Sequence, residues 1–424
     1  MSRPLNRRNF LRLSALGAGA AAAGPVLSGC GNGGSSSSDS GDDTIVYAVQ
    51  AFAHDAIRPI IDEFTAETGI TVELEGGPAS GQDLLTQLVP AFNSGTTPYD
   101  VVDVDDPAGA AMVAGGWLEP LDDALPDELA DDLTDGMAEG TATWNTVDGN
   151  IMRVYHNWEL GYHWLRSDVL ADLDLAAPTS WDELITIGEE VKQQTGMYAL
   201  GDAASKPGLT FVYLAYLAAQ SGGDLYAFDS RIEEAFAFAR ELIDRELFPR
   251  DALTWTYDQL NSSYMQDNLL SMRQWTFFDG VAADNTDWYA EEKVLITPPP
   301  AGPGGALTWA GGWGYAIPTA STKKEQAKQF VRFMSGNEVA VRLAEASSFF
   351  ISARTSVLDA LGDSGIVAAM REYSEGGHVA PRPFHPQAAR AETIIDDIGQ
   401  AYLAGQMDLD EAMSEGAARI DDLS

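Results

Sequence analysis

The sequence predicts an α/β protein with two lobes, because its predicted strands and helices alternate and because it is too long for one core. Strands that alternate with amphipathic helices are typical of a parallel sheet covered on both faces. The chain has 424 residues, and single cores stop growing at ~250 to 300 residues. The hydrophobic fraction of 45% excludes a disordered acidic chain.

The predicted elements alternate from residue 44 onward. A β-rich run, an amphipathic helix and a second strand make a βαβ unit, and another helix and strand follow. In chain order these elements are predicted over 44–49, 57–68, 70–74, 84–92 and 99–104. The last of these strands ends in a group of acidic residues, and sheets of this kind bind ligands at the carboxyl ends of their strands.

Residues 1–29 are predicted to be a secretory signal of the twin-arginine type. Arg7 and Arg8 precede Phe10 and Leu11, and an uncharged Ala/Gly stretch follows over 14–26. This stretch is shorter than the ~18 to 20 apolar residues of a membrane-spanning helix, which excludes a transmembrane anchor. The segment therefore indicates export.

Cys30 is predicted to carry a lipid, because Leu-Ser-Gly-Cys over 27–30 resembles a lipobox. It is the single cysteine of the sequence, so neither a disulfide framework nor a cysteine-based metal site is expected. Residues 30–43 are rich in Gly, Ser and Asp and have no large apolar side chain. They are expected to form a flexible tether between the membrane and the folded body.

The net charge is strongly negative. Lys and Arg number 25 against 64 Asp and Glu, and removal of the signal with its four arginines brings the net charge to −43. Such self-repulsion is tolerated mainly where salt screens it, which favours an acidic surface of the halophilic kind. Nucleic acid is excluded as a partner, since its phosphates would be repelled.

Several segments, in order, resemble a known family. They are TGITVEL, TPYDVVDVDDPAGAAMVAGGWLEPL, HWLRSDVLADLDLAAPTSWDELITIGEEVKQQTG, WAGGWGYAIPTASTKKEQAKQFVRFMSGNEVAVRLAE and LAGQMDLDEAMSEGAARIDDL. Together they are similar to the extracellular carbohydrate-binding proteins of ATP-driven importers, the class that includes maltose and trehalose binders. The resemblance extends over nearly the whole exported chain.

The resemblance implies a two-lobed fold of the periplasmic-binding-protein type II, with a ligand cleft between lobes joined by a multi-strand hinge. The first lobe is expected over 44–149 and about 314–346, and the second over about 150–313 and 347–424. The implied function is capture of a sugar and its delivery to the permease and ATPase of an importer. The protein is expected to act as a monomer anchored through Cys30, without a cofactor, metal ion or catalytic residue.

A sugar site needs aromatic rings against the faces of the ligand and polar groups around its edge. Trp309 and Trp313 flank paired glycines that let the backbone approach a ligand, so both rings and Gly312 are candidates. Trp275 lies where the resembling binders place a stacking tryptophan. Packing within a strand is the alternative role of Trp275.

The candidate polar groups lie in three loops. Asp105 and Asp106 end the third predicted strand, although Asp106 also suits the start of the next helix. The segment that contains Asn157 and Glu159 matches the family's acidic sugar ligand by its spacing to a downstream aspartate, with a surface carboxylate as the alternative. Arg354 matches a family loop in which an arginine holds two hydroxyls, and a salt bridge is its alternative role.

Two other functions stay open. Carboxylates such as Asp106 and Glu159 across a sugar cleft also describe a glycoside hydrolase. The sequence has no Gly-x-Ser-x-Gly motif and no pair of histidines at metal-binding spacing, which disfavours an enzyme. A binder of polyamines would suit the acidic and aromatic residues, whereas anions are disfavoured by the scarcity of basic residues near the candidate loops.

We expect the thermal midpoint of the exported protein to rise steeply between about 0.1 M and about 1 M KCl. Over this range the Debye length falls from ~10 Å to ~3 Å, which screens the repulsion among surface carboxylates. Differential scanning calorimetry at both salt concentrations measures the shift. Equal midpoints would contradict the halophilic interpretation.

Overall fold

A computed structural model of the protein describes residues 43–78, 81–290, 293–363 and 365–423. The predicted signal, Cys30 and the predicted tether up to residue 42 lie outside the described residues. Within the described residues, none of the helices is both long and apolar enough to span a bilayer.

The strands of the described chain are β1 Thr44–Gln50, β2 Thr71–Gly77, β3 Val101–Asp105, β4 Thr146–Val147, β5 Asn150–Ile151, β6 Val154–Tyr155, β7 Glu159–Leu160, β8 Tyr162–Arg166, β9 Ser271–Gln274, β10 Val294–Thr297, β11 Thr308–Gly311, β12 Trp313–Ala316 and β13 Val379–Ala380.

The α-helices are α1 His54–Thr68, α2 Gly81–Asn93, α3 Asp106–Ala114, α4 Leu129–Asp132, α5 Asp135–Gly140, α6 Ser167–Asp172, α7 Trp181–Thr195, α8 Leu209–Ser221, α9 Ser230–Asp244, α10 Tyr257–Met265, α11 Phe278–Asn285, α12 Asp287–Ala290, α13 Lys324–Met334, α14 Asn337–Ala346, α15 Thr355–Leu361, α16 Gly365–Glu375, α17 Ala388–Leu403 and α18 Leu409–Asp421. A π-helical turn covers Thr141–Asn145, and 3₁₀ turns cover Ala51–Ala53, Asp122–Ala124, Arg250–Thr254 and Ser348–Phe350.

The predicted alternation of strands and helices is confirmed at the start of the folded body. Helix α1 connects β1 to β2 and buries the predicted apolar stripe. Gly69 caps the C-terminus of this helix. Its left-handed φ of 77° suits glycine, and its amide donates to the carbonyl of Thr65. Both β2 and β3 pair with β1 in parallel, as expected.

The first sheet has the order β2-β1-β3-β12-β6 and is mixed rather than all parallel. Strand β12 runs antiparallel to both β3 and β6. Strand β12 is antiparallel because it begins where β3 ends, with Trp313 opposite Asp105. Helices α1, α13 and α14 pack against this sheet through a shared apolar core.

The other sheets are smaller and lie later in the chain. Their strand orders are β10-β8-β9 and β13-β11-β7. The largest apolar core is built around α8, nearly all of whose side chains are buried, together with α9 and α17. Helices α8 and α9 pair, and α17 packs on both.

The chain crosses between the first sheet and the later sheets at three neighbouring places. Residues 156–158 join β6 to β7, and Gly312 alone joins β11 to β12. The third crossing begins at Ile351, directly after the 3₁₀ turn Ser348–Phe350. It lies beside the first crossing, because the amide of Trp158 donates to the carbonyl of Ile351 at 3.2 Å. These crossings join the two lobes.

Candidate ligand-binding cleft

Asp106 is the centre of a buried hydrogen-bond network at the crossing segments. Its carboxylate has no exposed surface and pairs with the guanidinium of Arg153. The hydroxyl of Tyr155 donates to Oδ1 at 2.6 Å, and the amide of Gly312 donates to Oδ2 at 3.2 Å. Arg153 also donates to the carbonyl of Val104 at 2.8 Å. Asp106 therefore ties β3 and α3 to two of the crossings.

Asn157 and Gly312 complete this arrangement. The Asn157 amide nitrogen donates to the carbonyl of Phe349 at 3.0 Å, and its oxygen accepts from the amide of Trp313 at 2.7 Å. A Cβ on Gly312 would lie 2.6 Å from the carbonyl oxygen of Asn157 and 2.8 Å from the ring of Tyr155. The close approach of the two chain segments therefore requires glycine at position 312.

Asp105 starts α3 rather than facing the same partners as Asp106. Its carboxylate accepts from the amide of Ala108 at 3.1 Å, as an N-cap residue does. Burial raises the pKa of Asp105, while the charge of Arg382 opposes this effect. Asp105, and not Asp106, therefore caps the N-terminus of α3.

Arg382 lies in an aromatic cage that the sequence analysis did not identify. Its guanidinium carbon is 4.7 Å from the ring centre of Trp309, 5.3 Å from that of Trp144 and 5.7 Å from that of Phe211. It donates to Glu392 at 2.7 Å and is 3.5 Å from Asp106. An isolated arginine between two prolines in a strongly acidic chain is the sequence signal that could have indicated it.

Trp275 and Trp309 form a corner on the neighbouring wall. Their ring centres are 5.1 Å apart at an interplanar angle of 73°, the edge-to-face arrangement that aromatic pairs favour. The indole nitrogen of Trp275 donates to the hydroxyl of Tyr257 at 2.8 Å. Both rings are largely buried, with 8% of Trp275 and 2% of Trp309 exposed. Each would present little more than an edge in this conformation.

Glu159 lies on β7 opposite Gly311, close to this corner. The carboxylate oxygen Oε1 is buried and has no hydrogen-bond partner within the described residues. Burial raises the pKa of Glu159 to about 8, although the charge of Arg273 opposes the shift. An unpaired buried carboxylate is costly, which makes Glu159 the strongest candidate for contact with a ligand.

Arg354 lies outside this group. Its guanidinium donates to Asp132 at 2.6 Å, to the carbonyl of Ser335 at 2.8 Å and to the side chain of Asn337. The observed contacts are the salt bridge that the sequence left open as an alternative. Trp313, by contrast, begins β12 beside Asp105 and packs partly exposed against the core of the first sheet.

A cavity of about 130 Å³ lies beside Arg382, and its lining includes Trp144, Trp158 and Ala310. It receives residues from the segment 134–144 and from β11 and β13, so it lies between that segment and the sheet β13-β11-β7. A larger cavity of about 310 Å³ near α4 and α5 is mostly apolar. The smaller cavity is lined by Arg382 and Trp144 of the aromatic cage, so we place the candidate site at this end of the cleft.

The side chains at this cleft suit recognition of hydroxyl groups more than metal binding. Across the described ranges, no group of three or more His, Cys, Asp or Glu side chains is placed to hold a metal ion. Burial raises the pKa of Glu392 to about 7, with Arg382 opposing it. The cleft therefore combines aromatic rings, guanidinium donors and carboxylates whose ionisation falls near neutral pH.

The chain belongs to the family of bacterial extracellular solute-binding proteins, whose family model matches residues 53–341. A probable ABC transporter-binding protein from Deinococcus radiodurans is 23% identical over 227 residues, which cover 48% of this chain and 52% of that protein. This chain thus spans only about half the length of that relative. An erythritol/L-threitol-binding protein from Mycolicibacterium smegmatis is 24% identical over 414 residues, with 85% and 83% covered.

The maltose-bound structure of T. maritima MalE3 has the same fold. It superposes with a TM-score of 0.78 at 20% identity, covering 90% of this chain and 100% of that one. This likeness identifies a two-lobed solute-binding fold of the maltose-binding-protein type. Family and fold are therefore those of extracellular solute-binding proteins and not of enzymes.

We expect Glu159→Gln to stabilise the protein increasingly as the pH rises from about 4.5 to about 8. Between the ordinary pKa of 4.5 and the folded value of about 8, native Glu159 keeps a proton that the unfolded chain has released. The wild type therefore loses stability with rising pH, and the glutamine variant lacks this loss. At about 1.4 kcal/mol per pKa unit, the full difference is on the order of several kcal/mol.

Urea unfolding of both proteins at a series of pH values measures this difference, and the contribution of Glu392 cancels because both proteins retain it. Exposed Glu67 on α1 supplies the matched control, Glu67→Gln. A gap between wild type and Glu159→Gln that is independent of pH would contradict the assigned environment of Glu159.

Proposed function

We propose that this protein captures a neutral sugar or polyol in the cleft between its lobes and delivers it to an ABC-type importer. One observation carries the proposal: Glu159, with a buried and unpartnered carboxylate oxygen, lies on β7, which pairs with the strand of Trp309, and Trp309 meets Trp275 edge to face. Carboxylate oxygens accept from ligand hydroxyls, and indole rings pack on the C–H faces of sugars. The names of the two relatives agree with an importer and with a polyhydroxy ligand.

The residues divide into ligand-binding and supporting groups. We assign ligand contact to Glu159, Trp275, Trp309 and Arg382, and also to Trp313, which is partly exposed at the start of β12. The remaining candidates are Asp105, Asp106, Asn157, Gly312 and Arg354. Their polar atoms are used within the protein, as a helix cap, as the network at the crossings or as a salt bridge. These residues hold the binding side chains in place.

The ligand enters when the lobes separate. The cavity of about 130 Å³ is smaller than the ~300 to 1,000 Å³ of typical ligand pockets, so a ligand of that size requires the cleft to widen. Rotation about the three crossings would widen the cleft without breaking either core. We propose rigid bodies that meet at these crossings, about 44–155 with 313–350 and about 159–311 with 351–423, close to the expected bounds of 44–149 with about 314–346 and about 150–313 with 347–424.

The structure supports a neutral ligand over a polyamine. The guanidinium of Arg382 already lies in the aromatic cage and pairs with Glu392. A second cation at this position would meet both the positive charge and the steric bulk of Arg382. Hydrolysis is also disfavoured, because both carboxylate oxygens of Asp106 already accept hydrogen bonds from Arg153, Tyr155 and Gly312.

We expect tryptophan fluorescence of the wild type to change and saturate with erythritol, L-threitol or maltose, and to stay constant with spermidine. In Trp309→Ala the affinity should fall by ~1 to 3 kcal/mol, or about fivefold to over a hundredfold, because one packing surface is lost. Trp117→Ala is the matched control, since that ring packs on Phe92 away from the cleft. The proposed function would be overturned if spermidine bound saturably, or if none of the four compounds bound.

We also propose a lipid anchor at Cys30 after twin-arginine export, which would place the body outside the membrane, beside the permease. The motifs at residues 7–8 and 27–30 support this assignment. In cells, Cys30→Ser should release the protein into the medium or leave it unprocessed, and Arg7→Lys with Arg8→Lys should retain the precursor inside. Fractionation with immunoblotting measures both. Processed Cys30→Ser protein that stays on the membrane would contradict the anchor.

A further inference from the structure

A second buried polar group lies behind the tryptophan corner. Arg273, on β9, has no exposed surface and pairs with Asp202, which is equally buried. Its Nε donates to Asp202 Oδ2 at 2.7 Å, and its Nη2 donates to Oδ1. The third nitrogen, Nη1, makes no hydrogen bond of standard geometry within the described residues, although the guanidinium also interacts with the hydroxyl of Tyr257. The bidentate pair therefore fixes the guanidinium and leaves one donor over.

This guanidinium lies on the same face of the chain as Glu159. Successive side chains of an extended chain alternate, so positions 159 and 161 share one face. Residue 161 is glycine, and a Cβ there would lie 3.0 Å from Cδ of Arg273 and 3.4 Å from its Cγ. The stem of Arg273 thus crosses the space that the missing side chain leaves, and its charge acts on Glu159.

The aromatic wall continues from this pair. The guanidinium carbon of Arg273 is 4.7 Å from the ring centre of Trp275, whose edge meets Trp309. The donor Nη1 of Arg273 lies on the Trp275 side of this corner, and the acceptor Oε1 of Glu159 belongs to the strand that pairs with the strand of Trp309. A hydroxyl group satisfies both kinds of atom at once, since it accepts one hydrogen bond and donates another.

We propose that Glu159 and Arg273 together bind one hydroxyl of the ligand, and that Arg273 is thereby a specificity-determining residue for a neutral polyhydroxy compound. This inference rests on the proposed function. The hydroxyl oxygen accepts from Nη1 of Arg273 and donates to Oε1 of Glu159. A ligand that lacks this hydroxyl leaves both buried groups unpaired, which is the condition under which a binding site discriminates most strongly.

The chemistry also selects against charged ligands. The Arg273–Asp202 pair is neutral as a unit, and Glu159 adds at most one negative charge. Because burial raises the pKa of Glu159 to about 8, its side chain keeps a proton near neutral pH, and the two groups present hydrogen-bonding atoms without net charge. Water is the other occupant that serves both atoms, so the test must separate a ligand hydroxyl from a resident water.

The test uses the full chain and whichever of erythritol, L-threitol and maltose binds wild type most tightly, with analogues of that compound that each lack one hydroxyl. Calorimetric titration should show that wild type binds one analogue about 10- to 100-fold more weakly than the parent. In Arg273→Lys this discrimination should fall below about threefold for the same analogue, because the single ammonium that pairs with Asp202 leaves no fixed second donor.

A double-mutant cycle examines the shared hydroxyl. Glu159→Gln and Arg273→Lys together should weaken binding of the parent compound by no more than the larger single effect, since both groups act on one oxygen. Arg166→Lys is the matched control, because Arg166 is a buried strand arginine that pairs with Asp168 at 2.6 Å, away from the cleft. It should bind the parent compound and every analogue as wild type does.

Three results would overturn the inference while leaving the proposed function intact. They are unchanged discrimination in Arg273→Lys, equal weakening for every analogue, and additive effects in the cycle. The first or third result would assign the two atoms to resident water. If wild type binds none of the three compounds, both proposals fail. Thermal unfolding measures whether Arg273→Lys is folded. If this variant does not fold, Glu159→Gln tests the same hydroxyl.

Discussion

The buried carboxylate of Asp106 is the constraint on which the cleft depends. Asp106 is the first residue of α3 and directly follows β3. Its partners Arg153, Tyr155 and Gly312 lie at the segments that cross between the lobes. One negative charge thus fixes the place where the two sheet systems meet. Removal of a partner would leave that charge buried and unpaired, at a cost of several kcal/mol. The position of the crossings is therefore specified chemically as well as by packing.

Around this constraint, the polar groups of the cleft differ in one respect, namely whether the protein itself satisfies them. Asn157 uses both ends of its amide within the crossings, and Arg354 uses its guanidinium on Asp132 of α4 and on the carbonyl of Ser335 at the end of α13. Glu159 and Arg273 instead each retain an unpaired buried atom. Satisfied groups make a rigid frame, and the unsatisfied atoms of Glu159 and Arg273 are where we propose that a ligand hydroxyl binds.

Local patterns in the sequence predicted the first βαβ unit, because apolar periodicity acts within one element. The roles of the site residues depend on distant partners and leave no such pattern. Asp106 was selected, but Arg153 lies 47 residues away from it and Arg382 lies 276 residues away. The order of the first sheet was likewise not predictable, since β12 joins β3 from a late part of the chain. Glu159 was identified by family resemblance rather than by spacing alone.

The few basic residues of this acidic chain are used unevenly. Arg153, Arg273 and Arg354 are among its largest fully buried side chains, and each is paired with an aspartate. Dissolved ions screen exposed charges strongly and buried pairs weakly. The protein therefore has two electrostatic environments, an exterior that responds to ionic strength and an interior that does not. Affinity for an uncharged ligand should then stay constant while the salt concentration around the cell changes.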